Sequence, residues 1–171
     1  MDKGKTSKAP PLRFLFEHPA HLVACGFGSG LSPLAPGTVG TLFAWVTYAV
    51  LHNILSAFWL LIFLLACYIL GIFFVQHTGR SLGVTDHGSI VWDEIVPFWL
   101  VLFFCPGGVW WQMAAFLLFR AFDILKPQPA RFFDEKVKNG FGVMADDLVA
   151  GLYTVLTLVF LHHLLSLFSP A

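Results

Sequence analysis

Of the 171 residues, 57% are hydrophobic and only 12% are charged, about half the charge share of an ordinary soluble domain. A mean hydropathy of +0.77, with 19 Phe and 6 Trp, is the composition of a membrane protein rather than of a water-soluble fold. Ten basic residues balance ten acidic ones, so nothing in the overall charge favours a nucleic-acid partner.

The chain opens with Lys3, Lys5, Lys8 and Arg13 against Asp2 and Glu17, without the apolar core that a signal peptide needs. Residues 1–18 are therefore expected to form a flexible cytoplasmic segment, and residues 19–171 a single membrane domain without internal repeats. The segment GFGSGLSPLAPGTVG follows, rich in Gly, Ser and Pro, and reads as a loop. It lacks the GxxxxGK[ST] spacing of a P-loop. Small residues still let backbone N–H groups approach an anion, which makes Ser29 and Thr38 candidate phosphate contacts. Cys25 heads this segment, but Leu31 stands six positions later, where a cysteine-nucleophile phosphatase requires Arg. Cys25, Cys67 and Cys105 read as free thiols used as small apolar residues.

Two apolar runs, 39–55 and 57–75, are each close to the roughly 20 residues that cross a bilayer as helix. A third, 95–104, covers only about 15 Å as helix and meets the turn signal Cys105-Pro106-Gly107-Gly108, after which a fourth occupies 109–125. The last, 148–168, is preceded by a polar stretch holding Arg131, Lys136 and Lys138, which belongs on the cytoplasmic side. The expected fold is an all-α, polytopic integral membrane helical bundle with four or five transmembrane helices. With five, the glycine-rich segment and all the acids described next meet on the cytoplasmic face. Trp92, Trp99, Trp110 and Trp111 read as an aromatic belt.

Carboxylates gather at the ends of these greasy segments: Asp93 with Glu94, Asp123, and Asp146 with Asp147. An ionised side chain at the edge of hydrocarbon is costly unless it is paired, hydrated or metal-bound. Helix capping accounts for one such acid, but adjacent acids at two expected helix starts ask for more. A hard divalent cation keeps several carboxylates ionised together, and Mg²⁺ takes oxygen ligands, often with substrate phosphate. Arg120, Asp123 and Lys126 fall at steps of three, a slanting stripe on one helix face ended by Pro127. They are either a self-neutralised set that snorkels to the interface, or Lys126 and Arg120 offset a phosphate while Asp123 joins the metal.

In order along the chain, GFGSGLSPLAPGTVGTL, DHGSIVWDEIV, FRAFDILKPQPARFFD and GFGVMADDLVAG resemble the motifs of the phosphatidylglycerophosphatase A family, over about residues 19–151. The resemblance implies a magnesium-dependent enzyme of the bacterial inner membrane, multi-pass and active on the cytoplasmic side. Its reaction removes the terminal phosphate of phosphatidylglycerophosphate to give phosphatidylglycerol and inorganic phosphate. The family's acidic motifs fall on Asp93 and Glu94, on Asp123 with Lys126, and on Asp146 and Asp147. On this reading those six residues are catalytic, the five acids among them hold Mg²⁺, and Lys126, Arg120, Ser29 and Thr38 meet the phosphate. Water activated at the metal is the expected nucleophile, an aspartyl-phosphate intermediate the other route. Pro97 departs from the glycine of the family pattern, although proline is tolerated in a first helical turn. Three alternatives stand beside this: a phosphatase for another lipid phosphate, a small cation channel or transporter with acids inside its spans, and a non-catalytic scaffold. The partners expected are the phospholipid and the membrane, and a homo-oligomer is compatible with both.

Overall fold

A computed structural model describes residues 8–168, so the part of the expected N-terminal segment over residues 1–7 lies outside the described residues. All regular structure among the described residues is helical. Helices α1 (Phe14–Glu17) and α2 (Pro19–Ala24) and a 3-10 helix over Gly26–Leu31 lead into α3 (Pro36–Ile54) and α4 (Ala57–Leu82). Then come α5 (Trp92–Phe104), α6 (Val109–Leu125), α7 (Ala130–Lys136) and α8 (Gly140–Phe168).

The all-α expectation holds, and each long apolar run becomes a helix. By length and composition two of them qualify as membrane spans, α4 and α8, with mean hydropathy 2.8 and 1.9 over their most apolar stretches. That is fewer than the four or five expected. With 13 and 17 residues, α5 and α6 reach only about 20 and 25 Å at 1.5 Å per residue. The turn expected at Cys105 to Gly108 separates them. Outward faces are apolar along the bundle: Val46 on α3, Phe73 on α4 and Leu156 on α8 are each more than half exposed.

Three local readings change. The glycine-rich segment is only partly a loop, because Gly26–Leu31 winds as 3-10 helix and Pro36 opens α3, so Gly37, Thr38 and Gly40 are helical. Helix α8 begins at Gly140 rather than near residue 148, because Asn139 Oδ1 accepts the Gly142 N–H at 2.9 Å and so caps an earlier start. Asp146 and Asp147 therefore lie inside the helix, away from the dipole and free N–H groups of its first turn. In α5 the expectation of acids in the first turn is met by Asp93 and Glu94, but Pro97 is in the second turn, not the first. It supplies no N–H toward the carbonyl four residues back.

The core lies between α3, α4, α5, α6 and α8, where Leu60, Leu64, Ile95, Phe98 and Phe119 are fully buried. Trp92 and Trp99 belong to this core and not to a belt. Their indole N–H groups donate to Cys67 O at 3.2 Å and Ala44 O at 2.9 Å, which lets an amphipathic ring be buried without losing its polar handle. Trp110, 77% exposed, does face outward. One end of the bundle is tied together by polar contacts: Gly140 N–H donates to Gln76 Oε1 at 2.7 Å, and His21 Nδ1 is 3.1 Å from Thr78 Oγ1. The acids converge at this same end.

Candidate active site

Glu94 comes from the first turn of α5, Asp123 from the last turn of α6 and Asp147 from the interior of α8. Each offers a carboxylate oxygen, and these oxygens all lie within 4.8 Å of one another. The three residues are 2–3% exposed. Carboxylates this close and this dry disfavour one another's ionisation unless positive charge offsets them. Arg120, one turn before Asp123, supplies part of it: its Nη1 is 2.9 Å from Glu94 Oε2 and 2.7 Å from Asp123 Oδ2. A buried donor set made only of oxygen fits a hard cation such as Mg²⁺ and suits zinc poorly.

Helix α3 closes the site from the side. Thr41 Oγ1 donates to Gly37 O at 2.9 Å and lies 3.5 Å from Glu94 Oε2 and 3.4 Å from Arg120 Nη1. Gly37 stands so near that a Cβ built there would come within 2.0 Å of Glu94 Oε1, so only glycine lets the first turn of α3 rest against that carboxylate. Beside them is a pocket of about 160 Å³ lined by Ala35, Pro36, Gly37, Gly88, Ile90, Glu94 and Arg120. It opens onto the N-terminus of α3, where no side chain caps the helix and Ala35 adopts the left-handed conformation. The N–H groups of a first turn point outward along a favourable dipole, a natural seat for an anion.

A second cluster adjoins the first. Helix α6 stops at Leu125, and Lys126 takes φ 44° and ψ 61° as its C-cap because Pro127 cannot extend it. The expected stripe therefore divides. Arg120 and Asp123 pair with each other, while Lys126 Nζ turns to Asp146 Oδ2 at 2.5 Å and Asp134 Oδ1 at 2.7 Å. Asp146 Oδ1 in turn accepts the Asp147 N–H at 3.0 Å. Lys126 thus joins the end of α6, α7 and α8, on the last through the residue before Asp147.

Of the acids singled out in the sequence, Glu94, Asp123 and Asp147 form the close trio, Asp146 belongs to the Lys126 cluster, and Asp93 is buried on the first turn of α5 beside Glu94. Among the phosphate candidates, Arg120 lines the pocket, and Thr38 follows Gly37 in the first turn of α3. Ser29 Oγ donates to Gly26 O at 2.8 Å and closes its own turn. Gly37, Thr41 and Asp134 were not singled out as partners of the acids. All three lie inside or beside the quoted motifs, but one hydroxyl, one glycine of a glycine-rich segment and one acid of a polar stretch carry no distinguishing signal by type. Burial pushes the Cys25 thiol up to about 12, which leaves no thiolate nucleophile at neutral pH. His87 is also held below the usual imidazole range, chiefly by burial and against the opposing charge of Asp86.

A family model described as phosphatidylglycerophosphatase A matches residues 22–162. A Haemophilus influenzae protein named phosphatidylglycerophosphatase A is 48% identical over 152 residues, 88% of this chain and 93% of that protein. An Escherichia coli protein of the same name is 42% identical over 154 residues, 88% of each chain. A Bacteroides thetaiotaomicron protein named as a candidate phosphatidylinositol-3-phosphatase is 37% identical over 139 residues, 78% of this chain and 87% of that one. No solved structure matches the chain.

Proposed function

The chain belongs to the phosphatidylglycerophosphatase A family, and from that premise we propose that it hydrolyses the terminal phosphomonoester of phosphatidylglycerophosphate, releasing phosphatidylglycerol and inorganic phosphate. The observation that carries the reading is the adjacency of the buried trio Glu94, Asp123 and Asp147 to a small pocket edged by Arg120 and the start of α3. Hard-cation ligands and an anion seat side by side are what a metal-dependent phosphomonoesterase requires.

The terminal phosphate enters the pocket, and Arg120 with the N–H groups at the start of α3 binds its oxygens. Glu94, Asp123 and Asp147 would hold Mg²⁺, which when bound neutralises charge on the phosphoryl group and acidifies water. Arg120, fixed between Glu94 and Asp123, keeps both carboxylates oriented as the phosphate arrives. A carboxylate of the trio accepts a proton from the attacking water as its oxygen bonds to phosphorus, the P–O bond to glycerol breaks, and the departing oxygen takes up that proton to give the alcohol. Lys126, held by Asp134 and Asp146, fixes the segment of α8 that carries Asp147 and acts as a positioning residue.

The bundle is proposed to lie in the bacterial inner membrane with α3, α4, α5, α6 and α8 as five spans. The apolar outward faces support this, since side chains of this kind are at home against lipid. Arg131, Lys136 and Lys138 beside the acid end support a cytoplasmic orientation for it, at the height of the lipid headgroups.

The test is phosphate release from phosphatidylglycerophosphate in detergent micelles, with and without Mg²⁺, with Asp147→Asn as control. Phosphatidylinositol 3-phosphate serves as competing substrate. Release from phosphatidylglycerophosphate that needs both Mg²⁺ and Asp147 supports the proposal. Faster release from the phosphoinositide overturns the substrate, and release independent of Mg²⁺ overturns the metal.

A further inference from the structure

We infer that the open groove between α4, α5 and α8 seats an acyl chain of the lipid whose phosphate the acid cluster takes, and so sets which chains the enzyme prefers. The inference rests on the lipid-phosphatase reading above and adds to it a subsite for the apolar half of the substrate.

The groove has a volume of about 570 Å³, and its lining carries no ionisable side chain. Its position follows from helix register. On α5, Glu94, Pro97 and Val101 stand at i, i+3 and i+7. On α8, Asp147, Gly151 and Val155 stand at i, i+4 and i+8. Both spacings keep residues on one face of a helix. In each helix the first member is a carboxylate of the trio and the next two line the groove. The same two faces that bring the acids together thus continue as apolar walls, starting one turn, about 5 Å, away from the acids. From there the groove runs on to Phe104 at the end of α5 and to Leu65, in the first half of α4, the part remote from the acid end.

Gly151 makes the floor. A Cβ built there would lie 3.3 Å from Val101 Cγ2 and 3.7 Å from Pro97 Cβ, so a larger residue would fill the channel where it leaves the acids. The proline ring at Pro97 adds a rigid apolar surface and no N–H donor at the same level. The rim residues Leu65 and Leu152 are 48% and 57% exposed, which leaves the channel open along its side. A lipid can then slide in from the bilayer with its chain never leaving hydrocarbon. A peptide or a polar ligand would find no hydrogen-bond partner among these side chains and would lose its water on entry. An acyl chain has nothing to lose there, since it passes from lipid to an equally apolar wall and gains packing contacts with the side chains.

The experiment uses the full chain in detergent with Mg²⁺ and two rim variants away from the acids, Leu152→Trp to fill the groove and Leu152→Ala to widen it. Phosphate release is measured on phosphatidylglycerophosphate with long acyl chains and on its dihexanoyl form, and the ratio of the two kcat/KM values is compared. The expected result is a ratio lowered by about tenfold in Leu152→Trp, the loss falling on the long-chain substrate, and a shift in Leu152→Ala toward bulkier, cis-unsaturated chains. Wild-type activity with the same ratio in all three proteins would show that the groove holds bulk lipid without preference, and overturns the subsite alone. A wild-type chain that releases phosphate from neither substrate overturns the lipid-phosphatase reading and the subsite with it.

Discussion

Arg120 Nη1 and Glu94 Oε2 are 2.9 Å apart, an ion pair from α6 to α5 in which the two side chains are 15% and 4% exposed. The same nitrogen holds Asp123 Oδ2 at 2.7 Å, so one guanidinium spans two members of the trio. Removing it leaves buried carboxylates facing one another. Arg120→Gln is expected to destabilise the protein by about 3–5 kcal/mol in EDTA, read from the thermal midpoint in detergent, and by less when Mg²⁺ is present. Arg120→Lys should fall between, because an ammonium keeps the charge but sits on a shorter side chain and lacks the planar guanidinium. Equal midpoints for wild type and Arg120→Gln in EDTA would contradict the assignment.

Asp147 differs in that the ion pairs of Arg120 are made to the other two acids. Asp147→Asn leaves those two pairs intact and takes a charged oxygen out of the trio. Activity should fall by more than the roughly 10–100-fold that follows loss of a mere supporting partner of a metal ligand. The thermal stabilisation that Mg²⁺ gives the wild type through binding should vanish. A full Mg²⁺-induced shift in Asp147→Asn would remove this residue from the ligand set.

Gly37→Ala places a methyl within 2.0 Å of Glu94 Oε1, and either α3 or the carboxylate must give way. Overpacking of this kind costs about 1–3 kcal/mol, but the larger expected effect is on catalysis, since Glu94 and the edge of the phosphate pocket are displaced together. Gly107→Ala is the control: nothing lies within 4 Å of a Cβ there, and it should behave as wild type. Similar kinetics for the two variants would sink the role given to the start of α3.

Lys126 tests position against direct contact. If its ammonium serves Asp146 and Asp134, then Asp134→Asn loosens the anchor at 2.7 Å and should lower kcat with little change in KM, as Lys126→Met does more strongly. A lysine that binds substrate phosphate instead would be released by Asp134→Asn, and KM would fall. The direction of the KM change in Asp134→Asn decides between them.

How the acids divide their work was only partly legible in the sequence. Carboxylates beside hydrocarbon stand out by type, which is why Glu94, Asp123 and Asp147 could be named before any geometry. Which member of an adjacent pair turns into the trio could not be read, because neighbours on a helix point about 100° apart and the rotation of α8 is set elsewhere. Asn139 starts that helix early, and Lys126 holds Asp146 aside. The span count is legible only in part for a related reason: the length and hydropathy of a segment are visible in sequence and single out α4 and α8, but α5 and α6 are short helices whose place depends on packing against neighbours. Trp92 and Trp99 likewise look like belt residues until their indole N–H partners are seen inside the core.

His21 gives the protein a pH dependence with a defined sign. It is 4% exposed, stacks on Phe14 with ring centroids 4.1 Å apart, and has the rings of His77 and His18 at 5.3 and 5.6 Å. Burial is the main reason its pKa lies below the ordinary 6.5, reinforced by His77 and His18 and opposed by Glu17. The unfolded chain therefore binds a proton more readily than the folded one, so stability rises with pH across this range. Its contribution is fully present above the unfolded value of 6.5 and is lost as pH falls through that value toward the lower folded one. The thermal midpoint should be flat from about pH 8 to 7 and decline steadily toward about pH 5. His87, shifted in the same direction, adds to the slope. His21→Gln keeps a polar group for Thr78 without the titration, and should therefore flatten the decline in part. An unchanged slope in that variant would place the pH sensitivity elsewhere in the molecule.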